Sequence, residues 1–259
     1  MYKLMEYNSI FILYLCILIL LILLIIIDFS YYIKPEIYTF YGENNKNKNK
    51  NNENTENKNT ENKNNETLLI IAGTHGDEKT GYYGTKKIIE MINKKEIIIE
   101  NGKIIIIPCL NMYGCKHNNR FTKTVLNRYI DLNRTYPDKH PLSILVSRLV
   151  KESDVVLDLH DARDKYYSNI NNKGDMVILG KSDNSKKFGL IVGRVNPMYH
   201  KTNESEVIYG SLRWYCNKVE KPYVLLETDM SDKNTKNKRI NKVVNTIISL
   251  GSEMDIIRV

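Results

Sequence analysis

From residue 67 onward, short apolar runs alternate with stretches whose apolar positions recur every three to four residues, and this alternation narrows the possible folds more than any other feature of the chain. Runs at 67–73, 96–99, 103–108, 155–159, 176–179 and 223–226 read as strands, and 81–93, 141–151, 185–195, 209–219 and 233–250 read as helices. Asn101-Gly102, between the second and third runs, predicts a tight turn and hence a hairpin. Strands interleaved with helices, plus one hairpin, predict an α/β fold: a single-domain three-layer sandwich around a mixed, twisted β-sheet. Residues 67–259 are ample for one domain with a full core.

The N-terminal part is of a different kind. After a flank at 1–9, residues 10–27 carry no charge and are almost wholly apolar, a length sufficient for a hydrocarbon core of about 30 Å. The expectation is a transmembrane helix preceding the domain, uncleaved because residues 28–32 offer no small-x-small site. The chain would then be a single-pass membrane protein tethered through 10–27. Lys3 and Lys34 lie on opposite sides and leave its orientation open, with an extracytoplasmic or lumenal domain as the default. Residues 28–66 read as a juxtamembrane segment and an Asn/Lys/Glu-rich linker; the tract 44–66 has almost no apolar side chain to offset the entropy of ordering.

The formal charge is +8, and the excess lies in residues 67–259. A basic domain suits anionic substrates or surfaces, although a Lys-, Asn- and Ile-heavy coding composition gives the same balance. No Lys/Arg run is interleaved with aromatics, so nucleic acid is not an expected partner. Beyond Cys16, the three cysteines Cys109, Cys115 and Cys216 are an odd number; they imply no disulfide framework and read as buried free thiols.

Chemistry concentrates in three stretches: Gly73-Thr74-His75-Gly76-Asp77-Glu78, Asp131-Leu132-Asn133-Arg134 and Asp158-Leu159-His160. His75 and Glu78 are spaced to offer an imidazole nitrogen and a carboxylate to one cation, and His160 can add a third ligand. Two His and one Glu with a fourth position open make a catalytic rather than a structural zinc site, with one Zn2+ per chain. His75 follows a strand, His160 ends another and Glu227 ends a third. All three can therefore meet beyond the carboxyl edge of the sheet, where open α/β folds bind ligands. Asp77 and Asp158 read as groups that orient the ligands, and His117, His140 and His200 as surface residues.

These elements, in this order, resemble the zinc carboxypeptidases of the funnelin superfamily, together with the murein tripeptide amidases and the succinylglutamate desuccinylase/aspartoacylase enzymes. The resemblance rests on His75/Glu78, Arg128-Tyr129-Ile130-Asp131-Leu132-Asn133-Arg134, His160, Gly210-Ser211-Leu212-Arg213-Trp214 and Leu225-Leu226-Glu227. It implies that His75, Glu78 and His160 bind zinc, that Glu227 is the general base, and that Arg128 stabilises the oxyanion. It also implies that Asn133 and Arg134 hold the substrate's terminal carboxylate. The family's substrate-contacting Tyr has no counterpart in step with Ser211, since Tyr199 and Tyr209 fall elsewhere.

The expected activity is zinc-dependent hydrolysis of an amide or peptide bond next to a free carboxylate. An N-acyl-amino-acid deacylase of the succinylglutamate desuccinylase/aspartoacylase type is the alternative, since Gly-Thr-His-Gly-Asp-Glu resembles that branch's opening motif. A third reading is an inactive, anchored peptide-binding module, against which an intact Glu227 argues.

Overall fold

The computed structural model describes residues 10–23, 34–44, 65–124, 128–162, 175–195, 199–201, 207–230 and 236–259. In chain order the elements are β1 (Tyr38–Tyr41), β2 (Thr67–Ala72), α1 (Thr80–Asn93), β3 (Ile98–Ile99), β4 (Lys103–Ile107), α2 (Met112–His117), β5 (Thr122–Lys123) and β6 (Tyr129–Ile130). A 3-10 turn at Leu132–Arg134 leads into α3 (Pro141–Glu152), β7 (Val155–Ala162), β8 (Met176–Leu179), α4 (Asp183–Val195) and β9 (Tyr199–Lys201). The chain closes with α5 (Leu212–Lys218), β10 (Tyr223–Asp229), α6 (Lys236–Glu253) and β11 (Ile257–Arg258).

Seven strands form one sheet in the order β1-β4-β2-β7-β10-β8-β9. The inner four, β4, β2, β7 and β10, run parallel, whereas β1 is antiparallel to β4 and β8 antiparallel to β10, with β9 parallel to β8, so the sheet is mixed. Both faces are covered, which is why β2 is buried at every position and reads as an unbroken apolar run. Its side chains still alternate. Leu68, Ile70 and Ala72 join the core under α1, α4 and α6, while Leu69 and Ile71 join the core under α3 and α5. The mixed α/β sandwich expected from the sequence is the architecture observed.

The expected anchor is not. Among the described residues no helix is long and apolar enough to cross a membrane. The helical residues at this end, 10–23, rise about 21 Å at about 1.5 Å per residue, short of a core of about 30 Å. Residues 24–27, the remainder of the proposed span, lie outside the described residues, as do 1–9 and 45–64 of the proposed flank and linker. The transmembrane helix, the single-pass localisation and the membrane contact through 10–27 are therefore corrected, since no described helix reaches spanning length.

The hairpin at Asn101-Gly102 also differs. β3 pairs with β11 at the C-terminus, and β4 lies between β1 and β2. Gly102 takes φ +56, and a Cβ there would lie 2.1 Å from the Glu66 carbonyl oxygen, so the turn is occupied by the chain entering β2. On the same edge Gly42 N–H donates to Gly102 O and Lys103 N–H donates to Glu66 O, both at 2.9 Å. The thiol expectation is corrected in part: Cys109 and Cys115 form a disulfide, and only Cys216 is a buried free thiol.

Candidate metal centre

The parallel strands β2, β7 and β10 deliver the site to their shared carboxyl edge. β2 ends at Ala72 and is followed by Gly73 at φ +64, a conformation that turns the chain sharply off the sheet. His75 and Glu78 sit on the turn that follows, closed by Glu78 N–H donating to His75 O at 3.2 Å. This turn packs backbone to backbone on α2. A Cβ on Gly76 would lie 1.9 Å from Gly114 C, and one on Gly73 would lie 3.2 Å from both Cys109 Sγ and Cys115 Sγ. On β7, Val156, Asp158 and His160 share the face opposite Leu157 and Leu159. Glu227 of β10 stands directly in register with His160.

His75 Nδ1 lies 2.7 Å from Glu78 Oε1, His160 Nδ1 lies 2.7 Å from Glu78 Oε2, and the two Nδ1 atoms are 3.1 Å apart. All three side chains are buried, and they form the one group among the described residues whose donor atoms converge as a metal site would require. Two nitrogens bound to zinc at about 2.05 Å in a tetrahedral arrangement are about 3.3 Å apart, close to the spacing observed. The donor set suits a divalent cation such as zinc in type and number.

The electrostatics of the group agree with that use. Burial raises the carboxyl pKa of Glu78, but the adjacent His160 and His75 outweigh it and hold the carboxyl well below the usual range. Burial opposes a proton on His160, yet Asp158 and Glu78 pull its pKa well above the ordinary value. A cation would take that proton's place, so metal uptake here competes with protonation. Glu227 is raised by burial, with Glu78 adding to the effect and His160 opposing it.

A ring of contacts surrounds the three ligands. His75 Nε2 is 3.2 Å from Asp131 Oδ1, which also accepts from Asn133 N–H at 2.9 Å and so starts the 3-10 turn. Arg120 reaches in with Nη1 3.1 Å from Glu78 Oε1 and Nη2 3.2 Å from Asp131 Oδ2. Asp161 accepts from Thr80 N–H at 3.0 Å at the start of α1 and from the Thr228 hydroxyl beside Glu227, binding three site elements to one carboxylate.

The two substrate-side motifs meet as well. Asn133 Oδ1 accepts from Leu212 N–H at 2.9 Å, and Tyr136 N–H donates to Gly210 O at 2.9 Å. Gly210 at φ +76 lies so close that a Cβ would stand 2.6 Å from Arg134 O. With its carbonyl held, Asn133 has its amide N–H donors for other use, and Arg134 Nη1 donates to Asn133 O beside it. Arg213 turns away, its Nε donating to Leu179 O at 2.7 Å.

Thus His75, Glu78, His160 and Glu227 come together, and Asn133 and Arg134 join on the Gly210–Leu212 turn. Among the described residues no hydrogen bond or ion pair joins the Arg128 side chain to the group. Arg128 is exposed, and its backbone N–H donates to Thr124 Oγ1 at 3.2 Å. Arg120, which sequence reasoning missed, is the arginine that contacts Glu78 and Asp131. Nothing local in Asn118-Asn119-Arg120 distinguishes it from a surface residue. It arrives because Asn118 takes a left-handed conformation after α2 and Asn111 Nδ2 donates to Arg120 O at 3.3 Å. His140, expected on the surface, is buried and caps α3, its Nδ1 accepting from Leu142 N–H at 3.2 Å.

Fold and site together define a mixed α/β sandwich with a buried His-Glu-His group at the carboxyl edge of its sheet. The model of the succinylglutamate desuccinylase/aspartoacylase catalytic domain family matches residues 64–170. The cell shape determinant Csd4 of Helicobacter pylori, solved with a bound tripeptide, superposes with a TM-score of 0.65 at 18% identity over 87% of this chain and 56% of its own. A succinylglutamate desuccinylase/aspartoacylase from Rhodobacter sphaeroides gives 0.56 at 15% identity, over 75% of this chain and 56% of its own. The ectoine utilization protein EutE of Ruegeria pomeroyi, in a product-bound structure, gives 0.57 at 15% identity, over 75% of this chain and 58% of its own. The chain thus spans a little over half the length of these proteins, and a comparison with curated proteins gives no match. The family-model match, with the fold these neighbours share, supports the funnelin-like superfamily that the motif order resembles.

Proposed function

We propose that the chain is a zinc-dependent amide hydrolase acting next to a free carboxylate, carboxypeptidase-like in its chemistry. The observation that carries the reading is the convergence of His75, Glu78 and His160 with Glu227 in register beside His160. Zinc held by these three residues supplies Lewis acidity and lowers the pKa of water toward neutrality. Glu227, whose affinity for protons burial raises, takes the water's proton and returns it to the leaving amine. In this proposal Arg120 takes the charge-stabilising role in place of Arg128, because its guanidinium lies beside the ligands with Glu78 and Asp131 fixing its orientation. Asn133 and Arg134 bind the substrate carboxylate, a task suited to the guanidinium fork.

A structure of Csd4, described as a D,L-carboxypeptidase, with mDAP bound favours a peptide substrate. The family-model match over 64–170 favours an N-acyl amino acid as the second reading. The test is a panel of free-acid peptides, their C-terminal amides and N-acyl amino acids, offered to the zinc-loaded chain and its Arg134→Ala variant. Hydrolysis of free-acid peptides that Arg134→Ala depresses about a hundredfold, with amides little changed, is the expected result, since losing one partner of a partly dry ion pair costs about 2–5 kcal/mol. Turnover confined to N-acyl amino acids would establish the second reading, and a chain that binds no zinc would overturn both.

A further inference from the structure

Behind His160 lies a buried chain of polar groups that the reaction itself does not use. Asp158 is 0% exposed. Its Oδ2 accepts a hydrogen bond from the Tyr223 hydroxyl at 2.8 Å, and its Oδ1 stands 3.2 Å from His160 Nε2, the nitrogen facing away from Glu78. Tyr223 is also 0% exposed, and its backbone is fixed by its own N–H donating to Ser185 Oγ at 2.9 Å. A carboxylate this deeply buried is tolerable only where donors satisfy it. Among the described residues Tyr223 supplies its hydrogen bond, while Oδ1 and His160 Nε2 face each other as an ion-pair contact without hydrogen-bond geometry.

We infer that Tyr223 is a positioning residue for the metal ligand His160, acting through Asp158. The inference rests on the zinc-binding reading above and adds to it a group that touches neither metal nor substrate. A ligating imidazole is held in orientation by what its second nitrogen contacts, and an anionic oxygen there makes the first nitrogen a better ligand. Asp158 can play that part only if its own position is fixed, and the Tyr223 hydroxyl fixes it. The strand pattern explains why the three groups align. Tyr223 opens β10 in register with Val156, and Val156, Asp158 and His160 project from one face of β7, so a tyrosine at that register reaches along the face to the carboxylate.

The test is zinc affinity of the full chain, measured by competition with a chromogenic chelator. Tyr223→Phe removes one oxygen and keeps the ring, and Asp158→Asn keeps the shape and removes the charge. Tyr215→Phe is the control, since Tyr215 is likewise buried and its hydroxyl donates to Ser147 O at 3.3 Å rather than to Asp158. Tyr223→Phe and Asp158→Asn should each weaken zinc binding by about tenfold or more. The double variant should lose no more than Asp158→Asn alone, and Tyr215→Phe should stay within about threefold of wild type. Three results would overturn the inference: wild-type affinity in Tyr223→Phe, an equal loss in Tyr215→Phe, or losses that multiply in the double variant. If Tyr223→Phe does not fold, Asp158→Asn decides alone, and unchanged affinity there overturns it. A wild-type chain without zinc affinity overturns the proposed function and this inference together, whereas a wild type that binds zinc beside an unaffected Tyr223→Phe overturns only the latter.

Discussion

Acidification should destabilise this protein through His140, a residue outside the His-Glu-His group. Burial pushes His140 down to about 4 from its ordinary 6.5, so the imidazole is neutral in the fold while the unfolded chain takes up a proton. Between those two values the unfolded state binds more protons, and stability falls as pH falls. The contribution is complete above about 6.5, declines below it and is exhausted near 4. The two pKa values give a loss of about 2 kcal/mol by about pH 5. His140→Asn isolates this share, because Asn is an equally good cap for α3 and does not titrate. Urea unfolding of both proteins at about pH 7.5 and about pH 5 should show the wild type losing about 2 kcal/mol more than the variant, a midpoint difference of about 1 M for an m-value near 2 kcal/mol/M. Parallel losses would refute the reasoning, since they would mean that His140 titrates alike in both states.

Two further outcomes concern the site. Gly76→Ala drives a Cβ into the Gly114 backbone at 1.9 Å, where no flexible side chain can yield; overpacking of about 1–3 kcal/mol transmitted to His75 and Glu78 should weaken zinc binding about tenfold or more, and wild-type affinity in a titration would contradict it. Arg120→Ala should retain zinc and lose about a hundredfold in kcat/KM, while Arg128→Ala stays within about threefold; the opposite order in steady-state assays would return the charge-stabilising role to Arg128.

How much could be read from the sequence follows the range of the interactions involved. The central strands announce themselves because burial on both faces demands apolar residues at every position, and His75 with Glu78 is a local spacing on one turn. His160 and Glu227 were readable as strand ends, and their registration across β7 and β10 is the finding that completes them. What sequence did not disclose depends on distant closure. Asn101-Gly102 is a turn, but the Glu66 backbone passing it and the return of Ile257 to Ile99 decide which strands pair. Arg120 and the Cys109–Cys115 disulfide belong to one loop whose path is set by α2 and its Asn111 cap. Odd-number arithmetic on cysteines cannot see a link six residues apart. His140 looked like a surface residue because it lies outside the motif pattern, yet its ring is enclosed where α3 begins.

The sheet end at Gly102 fixes where the chain can change length. Gly42 and Glu66, the residues bracketing the low-complexity tract, both fasten to the backbone at Gly102 and Lys103, at the end of the sheet opposite His75, His160 and Glu227. With both ends anchored, a change of length between them acts on stability through loop closure, and each doubling of a flexible loop costs only about 0.6 kcal/mol. Insertions or deletions of Asn and Lys between Gly42 and Glu66 should therefore leave the His75–Glu78–His160 group as it is.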